Sequence, residues 1–335
     1  MQIKKTLKTF IASFLAVLLL IIPTIGCKTK NDNKVIRLNE VTHSIFYAPL
    51  YVAIEKGYFK DYGIEIELTN GGGADASMTA LLSKTADIGL MGPETVIYVN
   101  KQNKKDAPIV FGQLTQKDGS FLVSRNPEPN FKWSDLENKE ILAGRRGGVP
   151  AMTFEYILNE IDLYDGQNVT LNYDVQFNLM TSAFIAGTAD YCTVFEPTAS
   201  EYEKAGKWHI VASVGSQGGE IPYTSFIALE SYLENNKETV KDFLKAIKKA
   251  FDFMNSTTEK EIAETVVKQF PSTTIESLET AIKSYKNINA WKQNLQATSE
   301  SFDRLQNIMI NAGELTVKAP FNQLVNNNLA KEVFG

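Results

Sequence analysis

The sequence predicts an α/β protein made of two lobes of like topology, each built on a mostly parallel sheet. Three observations carry this. Strand-like and helix-like patterns alternate from Val35 to Leu229. The stretch TADIGLMGPET at 85–95 is echoed by TADYCTVFEPT at 188–198. Glycine-rich loops follow several of the expected strands.

Taken in order, Val35–Thr42 alternates as a strand, and Ala48-Pro49 opens a helix in whose first turn proline's missing N–H is not needed. Gly57 ends that helix, and Gly63–Leu68 alternates as the next strand. This is a strand–helix–strand unit of the length a parallel crossover needs. The grammar repeats: a loop at Asn70–Gly73, a helix over Ala74–Ser83, a strand over Ala86–Leu90 and a helix over Thr95–Asn100. Pro108–Leu114 and Ser120–Ser124 read as strands, and Arg125–Asn130 as a proline-rich connection. Alternation resumes from Ile141 to Val214, and Thr224–Leu229 is a further strand. Helical patterns then dominate: Lys237–Met254, Glu259–Gln269, Thr274–Trp291 and Thr298–Ala312.

In both echoed stretches Thr-Ala-Asp leads into an apolar strand, then a glutamate–proline pair, then threonine. The flanking elements match as well, so the echo reads as two lobes, each a small α/β domain. The division expected is 35–119 for the first part of lobe 1 and 120–223 for lobe 2. Residues 224–335 return to complete lobe 1.

The first residues differ in kind. Lys4, Lys5 and Lys8 precede an apolar run from Phe10 to Ile22, then Pro23-Thr24-Ile25-Gly26-Cys27. That is a secretory signal over 1–26. A transmembrane anchor wants about 20 apolar residues, and this run is shorter. Residues 27–34 form a polar tether.

The 335-residue chain has a formal charge of −5, which argues against a nucleic-acid partner. With two histidines and two cysteines it offers no zinc-type cluster. No metal or cofactor is expected. Cys192 lies in an apolar strand pattern and reads as a small buried hydrophobe rather than a nucleophile.

Ligands of open parallel sheets bind outside the carboxyl ends of strands. The loops there are His43–Tyr47, Asn70–Asp75, Met91–Glu94, Thr115–Gly119, Arg145–Pro150 and Phe195–Pro197. Arg145 with Gly147 and Gly148 precedes a helix and could hold an anion, although it is not a phosphate-binding P-loop. The alternative is a solvated loop. Glu94 and Glu196, at echoed positions, could accept hydrogen bonds from a ligand's amino or hydroxyl groups. They could equally serve only the helix dipole. A hydrolase would use paired carboxylates, but here each glutamate is a feature of its own lobe. Phe46, Tyr47, Phe177, Phe195, Tyr223 and Trp291 are candidate stacking surfaces. His43, Gly92, Gln113, Asp118 and Asn178 complete the candidate lining.

YAPLYVAIEKGYFKDYGIEIEL resembles the start of bacterial periplasmic substrate-binding proteins of the nitrate/sulfonate/taurine and thiamine-pyrimidine group. ADIGLMGPETVIY, GQLTQKDGSFLVSR, GRRGGVPAMTFEYIL and FEPTAS fit the same group in order. The resemblance implies a type II periplasmic-binding fold, two lobes with a ligand cleft between them, and delivery to an ABC importer by a monomer. It implies binding rather than reaction. Ile-Gly-Cys27 resembles a bacterial lipobox, which implies a lipid-anchored Cys27 (palmitate included) on the extracytoplasmic face of the cell membrane, periplasmic where an outer membrane exists. Glu94, Glu196 and the aromatics favour a flat nitrogenous heterocycle such as a thiamine-precursor pyrimidine. Arg145 keeps a small oxyanion, such as an alkanesulfonate, taurine or nitrate, as the alternative. A pyrimidine-precursor synthase is the alternative of another class; the eukaryotic version would use a histidine-rich, iron-dependent site, against only His43 and His209 here.

Overall fold

The computed structural model describes residues 34–100, 102, 105–176 and 179–335. The segment read above as a secretory signal, Cys27, Phe177 and Asn178 lie outside the described residues.

The first sheet holds β1 (Lys34–Glu40), β2 (Ile64–Asn70), β3 (Ile88–Met91), β4 (Pro108–Thr115) and one late strand. The second holds β5 (Ser120–Ser124), β6 (Glu140–Leu142), β7 (Thr170–Asn172), β8 (Tyr191–Phe195) and β9 (His209–Ser213). The late strand is β10 (Thr224–Leu229), and the orders are β2-β1-β3-β10-β4 and β7-β6-β8-β5-β9. In each sheet the first three strands are parallel. In each, the fourth strand in the order is antiparallel to its neighbours.

The two orders are the same pattern, and the fourth strand is exchanged. β5 follows β4 in the chain but pairs in the second sheet, and β10 follows β9 but pairs in the first. The echoed stretches form β3 and β8, the third strand of each order. This is the physical content of the repeat: two sheets of one topology, each lending a strand to the other.

Burial explains the strand sequences. β2 sits at an edge and alternates, as IEIEL predicts. β4 and β10 are buried along their whole length, so they read as continuous apolar runs with a few polar residues. Those polar residues are the ones that matter below.

The helices are α1 (Ala48–Glu55), α2 (Ala74–Leu82), α3 (Glu94–Asn100), α4 (Val149–Asn159), α5 (Met180–Ala186), α6 (Thr198–Lys204) and α7 (Val214–Gly218). There follow α8 (Glu230–Asn235), α9 (Lys237–Ser256), α10 (Glu259–Val266), α11 (Ile275–Asn287), α12 (Ser299–Asn311), α13 (Phe321–Leu324) and α14 (Asn328–Phe334). α9 buries Val240, Phe243, Leu244, Ile247, Phe251 and Met254 along one face. Phe243 meets Phe59, Phe111 and Phe226 under the first sheet. Thr258, Thr274 and Thr298 cap α10, α11 and α12 through side-chain oxygens. α11 touches both α6 and the turn at 45–47, and α12 packs on α3 and α4, so these two helices bridge the sheets.

Two of the boundaries that move from the sequence reading bear on the site. The first strand stops at Glu40, because 41–44 bend and 45–47 form a 3-10 turn. α3 starts at Glu94 rather than Thr95, which brings that carboxylate into the helix's first turn.

Candidate functional site

The site grows from the carboxyl ends of β1, β3, β4 and β8 and from the crossover segments beside β5 and β10. At the end of β1, Glu40 is buried and accepts a hydrogen bond from Tyr51 Oη at 2.6 Å. The 3-10 turn that follows carries Phe46 and Tyr47. Ser44 caps it through Oγ, and Trp291 Nε1 donates to the Phe46 carbonyl at 2.8 Å. The chain is thus held so that both aromatic rings face inward.

Phe46 is the hub of an aromatic cluster. Its ring centroid lies 4.8 Å from Tyr285, 5.8 Å from Tyr223, 5.9 Å from Tyr47 and 6.2 Å from Phe195. Phe46 comes from the first sheet's side and Phe195 ends β8 of the second, so the cluster spans both. Gly119 is required beside it: a Cβ there would sit 2.8 Å from the Phe46 ring.

Carboxylates surround these rings. Glu94 is 3 % exposed, and burial pushes its carboxyl up to about 8, against the opposing pull of nearby helix N–H groups and Arg145. Its Oε2 has no partner. A Cβ on Gly92 would lie 2.0 Å from that oxygen, so only glycine leaves room for the carboxylate to fold back over the loop. Asp118 accepts from the Ser120 N–H at 2.7 Å and its Oγ at 2.6 Å, yet burial still lifts it to about 6. Asp118 Oδ2 is unpartnered, and the Tyr223 hydroxyl turns toward the same carboxylate without closing a well-formed hydrogen bond.

The strand register adds two more groups. Ser225 on β10 stands opposite Met91 on one side and Gln113 on the other. Gln113 Nε2 donates to the Thr115 and Ile221 carbonyls at 3.1 and 3.4 Å. Its Oε1 and Ser225 Oγ are left unpartnered. Buried polar atoms almost always find partners, so these unpartnered acceptors and hydroxyls make this the candidate site. Among the described residues, the buried charged side chains are Glu40, Glu94, Asp118 and Glu196, all acidic.

Of the residues expected from sequence, Phe46, Tyr47, Glu94, Gln113, Asp118, Phe195 and Tyr223 come together here, with Gly92 supporting Glu94. Burial, and then the nearby carboxylates, Glu40 and Glu94 for Tyr47 and Glu196 and Asp118 for Tyr285, hold both phenols neutral. Trp291 packs on Tyr285 at 6.2 Å and so backs the cluster.

Glu196 is buried, but its two oxygens accept from Ser200 N–H at 3.0 Å and Ser200 Oγ at 2.7 Å, so it serves the start of α6. Its own N–H donates to Tyr285 Oη at 3.2 Å. His43 points away from the rings with both nitrogens engaged, one to Glu40 at 2.7 Å and one to the Gln269 carbonyl at 2.8 Å. Arg145 is exposed and pairs with Asp75 at 3.0 Å, and this guanidinium holds the Asp75 carboxyl below its usual range. Gly147 accepts from Tyr98 Oη at 3.1 Å, and Gly148 starts α4; this loop is a rim rather than a floor. Cys192 is buried on β8, and burial pushes its thiol up to about 12, as suits an inert side chain.

Glu40, Ser225 and Tyr285 belong to the site and were not among the residues expected. Glu40 ends β1 just ahead of the loop where the aromatics begin, a position that could have drawn attention. Tyr285 lies in a C-terminal helix with no local signal. A separate open hollow of about 740 Å³, lined by Lys34, Arg37, Asp87, Tyr232 and Thr239 among others, lies at the opposite end of β1.

The model of the family described as NMT1/THI5 like matches residues 45–261. YtlA of Bacillus subtilis (strain 168), whose name describes a candidate binding protein, is 42% identical over 308 residues, 92% of each chain. Among solved structures, the alkanesulfonate-binding protein SsuA from Xanthomonas axonopodis pv. citri, bound to MOPS, superposes with a TM-score of 0.71 at 14% identity. That match covers 88% of this chain and 98% of the other. A Candida albicans gene product, described as having the generic periplasmic binding protein fold, gives 0.62 at 13% identity over 88% and 96%. The exchanged strands of the two sheets are therefore those of the periplasmic-binding-protein fold, and the chain belongs to the NMT1/THI5-like family.

Proposed function

We propose that this protein is the extracytoplasmic solute-binding component of an ABC importer. It captures a flat, amine-bearing heterocycle of the thiamine-precursor pyrimidine kind and hands it unaltered to a permease. The observation that carries the ligand class is the ring of unpartnered acceptors on Glu94, Gln113 and Asp118 around the Phe46–Tyr47–Tyr223 cluster. Such a set of acceptors matches the N–H donors of a ligand. A free oxyanion would meet Glu94 and Asp118, and among the described residues no lysine or arginine is buried beside them. The relatives named as binding proteins support transport rather than turnover.

On this reading the lobes are 35–119 with 224–335, and 120–223. They close on the ligand by hinging at the crossovers beside β5 and β10. Closure removes water and strengthens each polar contact. The Arg145–Asp75 pair joins the two sides at the rim, and such exposed pairs contribute about 0–1 kcal/mol.

Thermal melting against a panel of aminopyrimidines, flavins, alkanesulfonates and nitrate tests the ligand class. An aminopyrimidine at 100 times its Kd is expected to stabilise by about 2.7 kcal/mol. Stabilisation by a sulfonate or nitrate alone would overturn the assignment. The lipobox reading of Cys27 is tested separately: Cys27→Ser should move the protein from the membrane fraction to the soluble one, and continued anchoring would contradict it.

A further inference from the structure

His43 stands in an unusual pair of hydrogen bonds. Nε2 faces the Gln269 backbone carbonyl at 2.8 Å, an atom that can only accept, so this nitrogen carries a proton. Nδ1 faces Glu40 Oε1 at 2.7 Å. The other Glu40 oxygen already accepts from Tyr51 Oη, which in turn accepts from the Ser44 N–H. Tyr51 Oη also lies 3.2 Å from Nδ1, but its one proton goes to the shorter contact with Glu40 and is not given to the ring. The ring packs at a tilt against Tyr51 and Phe270, with centroids 4.8 Å away in each case. The groups around it are thus Glu40 from β1, Tyr51 from α1, and the Gln269 carbonyl and Phe270 ring from the segment after α10.

We propose that His43 is held as an imidazolium between Glu40 and the Gln269 carbonyl and acts as the positioning cation of the site. It fixes Glu40 and ties the turn carrying Phe46 and Tyr47 to the C-terminal helices. Loss of its proton sets a lone pair against the Glu40 carboxylate and loosens that wall. The hydrogen bond to Glu40, opposed by burial, raises the affinity of the ring for its proton. The sign follows from linkage: the stabilisation is complete below the ordinary histidine value of ~6.5 and is lost as pH rises through the higher folded value. None of this depends on which ligand the site takes, so it can fail while the ligand assignment stands.

The chain has two histidines, so His209→Gln leaves a spectrum that reports on His43 alone. In the full ¹⁵N-histidine-labelled chain, both ring nitrogens should show the imidazolium pattern, with a titration midpoint above ~6.5. Backbone amides of 45–54 and 267–270 should exchange faster as pH passes that same midpoint, beyond the chemical rate. In His43→Gln this extra pH dependence should vanish. Glu40→Gln should move the His43 midpoint downward. A neutral Nε2–H ring at and below pH ~6.5, or exchange in 45–54 that ignores the His43 midpoint, would overturn the proposal; the first needs no variant at the site.

Discussion

Glu94→Gln is expected to make the ligand-free protein more stable at alkaline pH and at the same time a poorer binder. The Glu94 carboxyl is lifted to about 8 by burial. Between the ordinary glutamate range and 8, the folded chain holds a proton that the unfolded chain has released, so stability falls as pH rises through that window. Glutamine removes this fall while keeping the shape. The shallower fall that accompanies Asp118, lifted to about 6, should remain. Binding should weaken by about 10- to 100-fold, because a charge-assisted hydrogen bond is lost from a buried site. Melting curves across pH, paired with ligand titrations, check both halves. A variant that is no more stable above pH ~8, yet binds normally, would remove Glu94 from the account.

Phe46→Ala should be the most destabilising single truncation in the site, at about 3–5 kcal/mol. Phe46 is 1 % exposed and touches four aromatic rings drawn from both sheets and from α11. Removing it leaves a hole lined by these four rings, which collapse only partly into it. Trp291 holds the local backbone by a hydrogen bond to the Phe46 carbonyl, so the turn itself should persist. Urea unfolding with an unchanged m-value and a lowered midpoint is the expected signature. A cost below about 1 kcal/mol would mean that the cluster collapses freely and does not define a preformed wall.

The architecture was legible because its repeat is written into local chemistry. TADIGLMGPET and TADYCTVFEPT form β3 and β8, the same position in two sheets of one order. What could not be read was the register in which β5 and β10 pair. Strand pairing over such separations leaves no mark in a short window, and it is this pairing that sets Ser225 beside Gln113. The sequence could not tell Glu94 from a group serving only the helix dipole; its unpartnered Oε2 is what sets it apart. Glu196 looked its equal, but Ser200 one helical turn later takes both of its oxygens. His43 and Arg145 show the same limit. Each has the right type and place in the chain, and each is claimed by a distant partner, Gln269 for one and Asp75 for the other. Tyr285 is the converse, a helical residue brought to the site by packing alone.

The central claim is that the buried acids receive donors from a bound solute. Proton linkage measured by calorimetry tests it most directly. The experiment is titration with an aminopyrimidine near pH ~7.5 in two buffers of different ionisation enthalpy, with the ligand recovered afterwards. Glu94 is partly protonated there, and a donor ligand favours the ionised carboxylate. The account predicts one ligand per chain, net proton release and chemically unchanged ligand. Net proton uptake on binding a sulfonate or nitrate, with no heat from the aminopyrimidine, would contradict it.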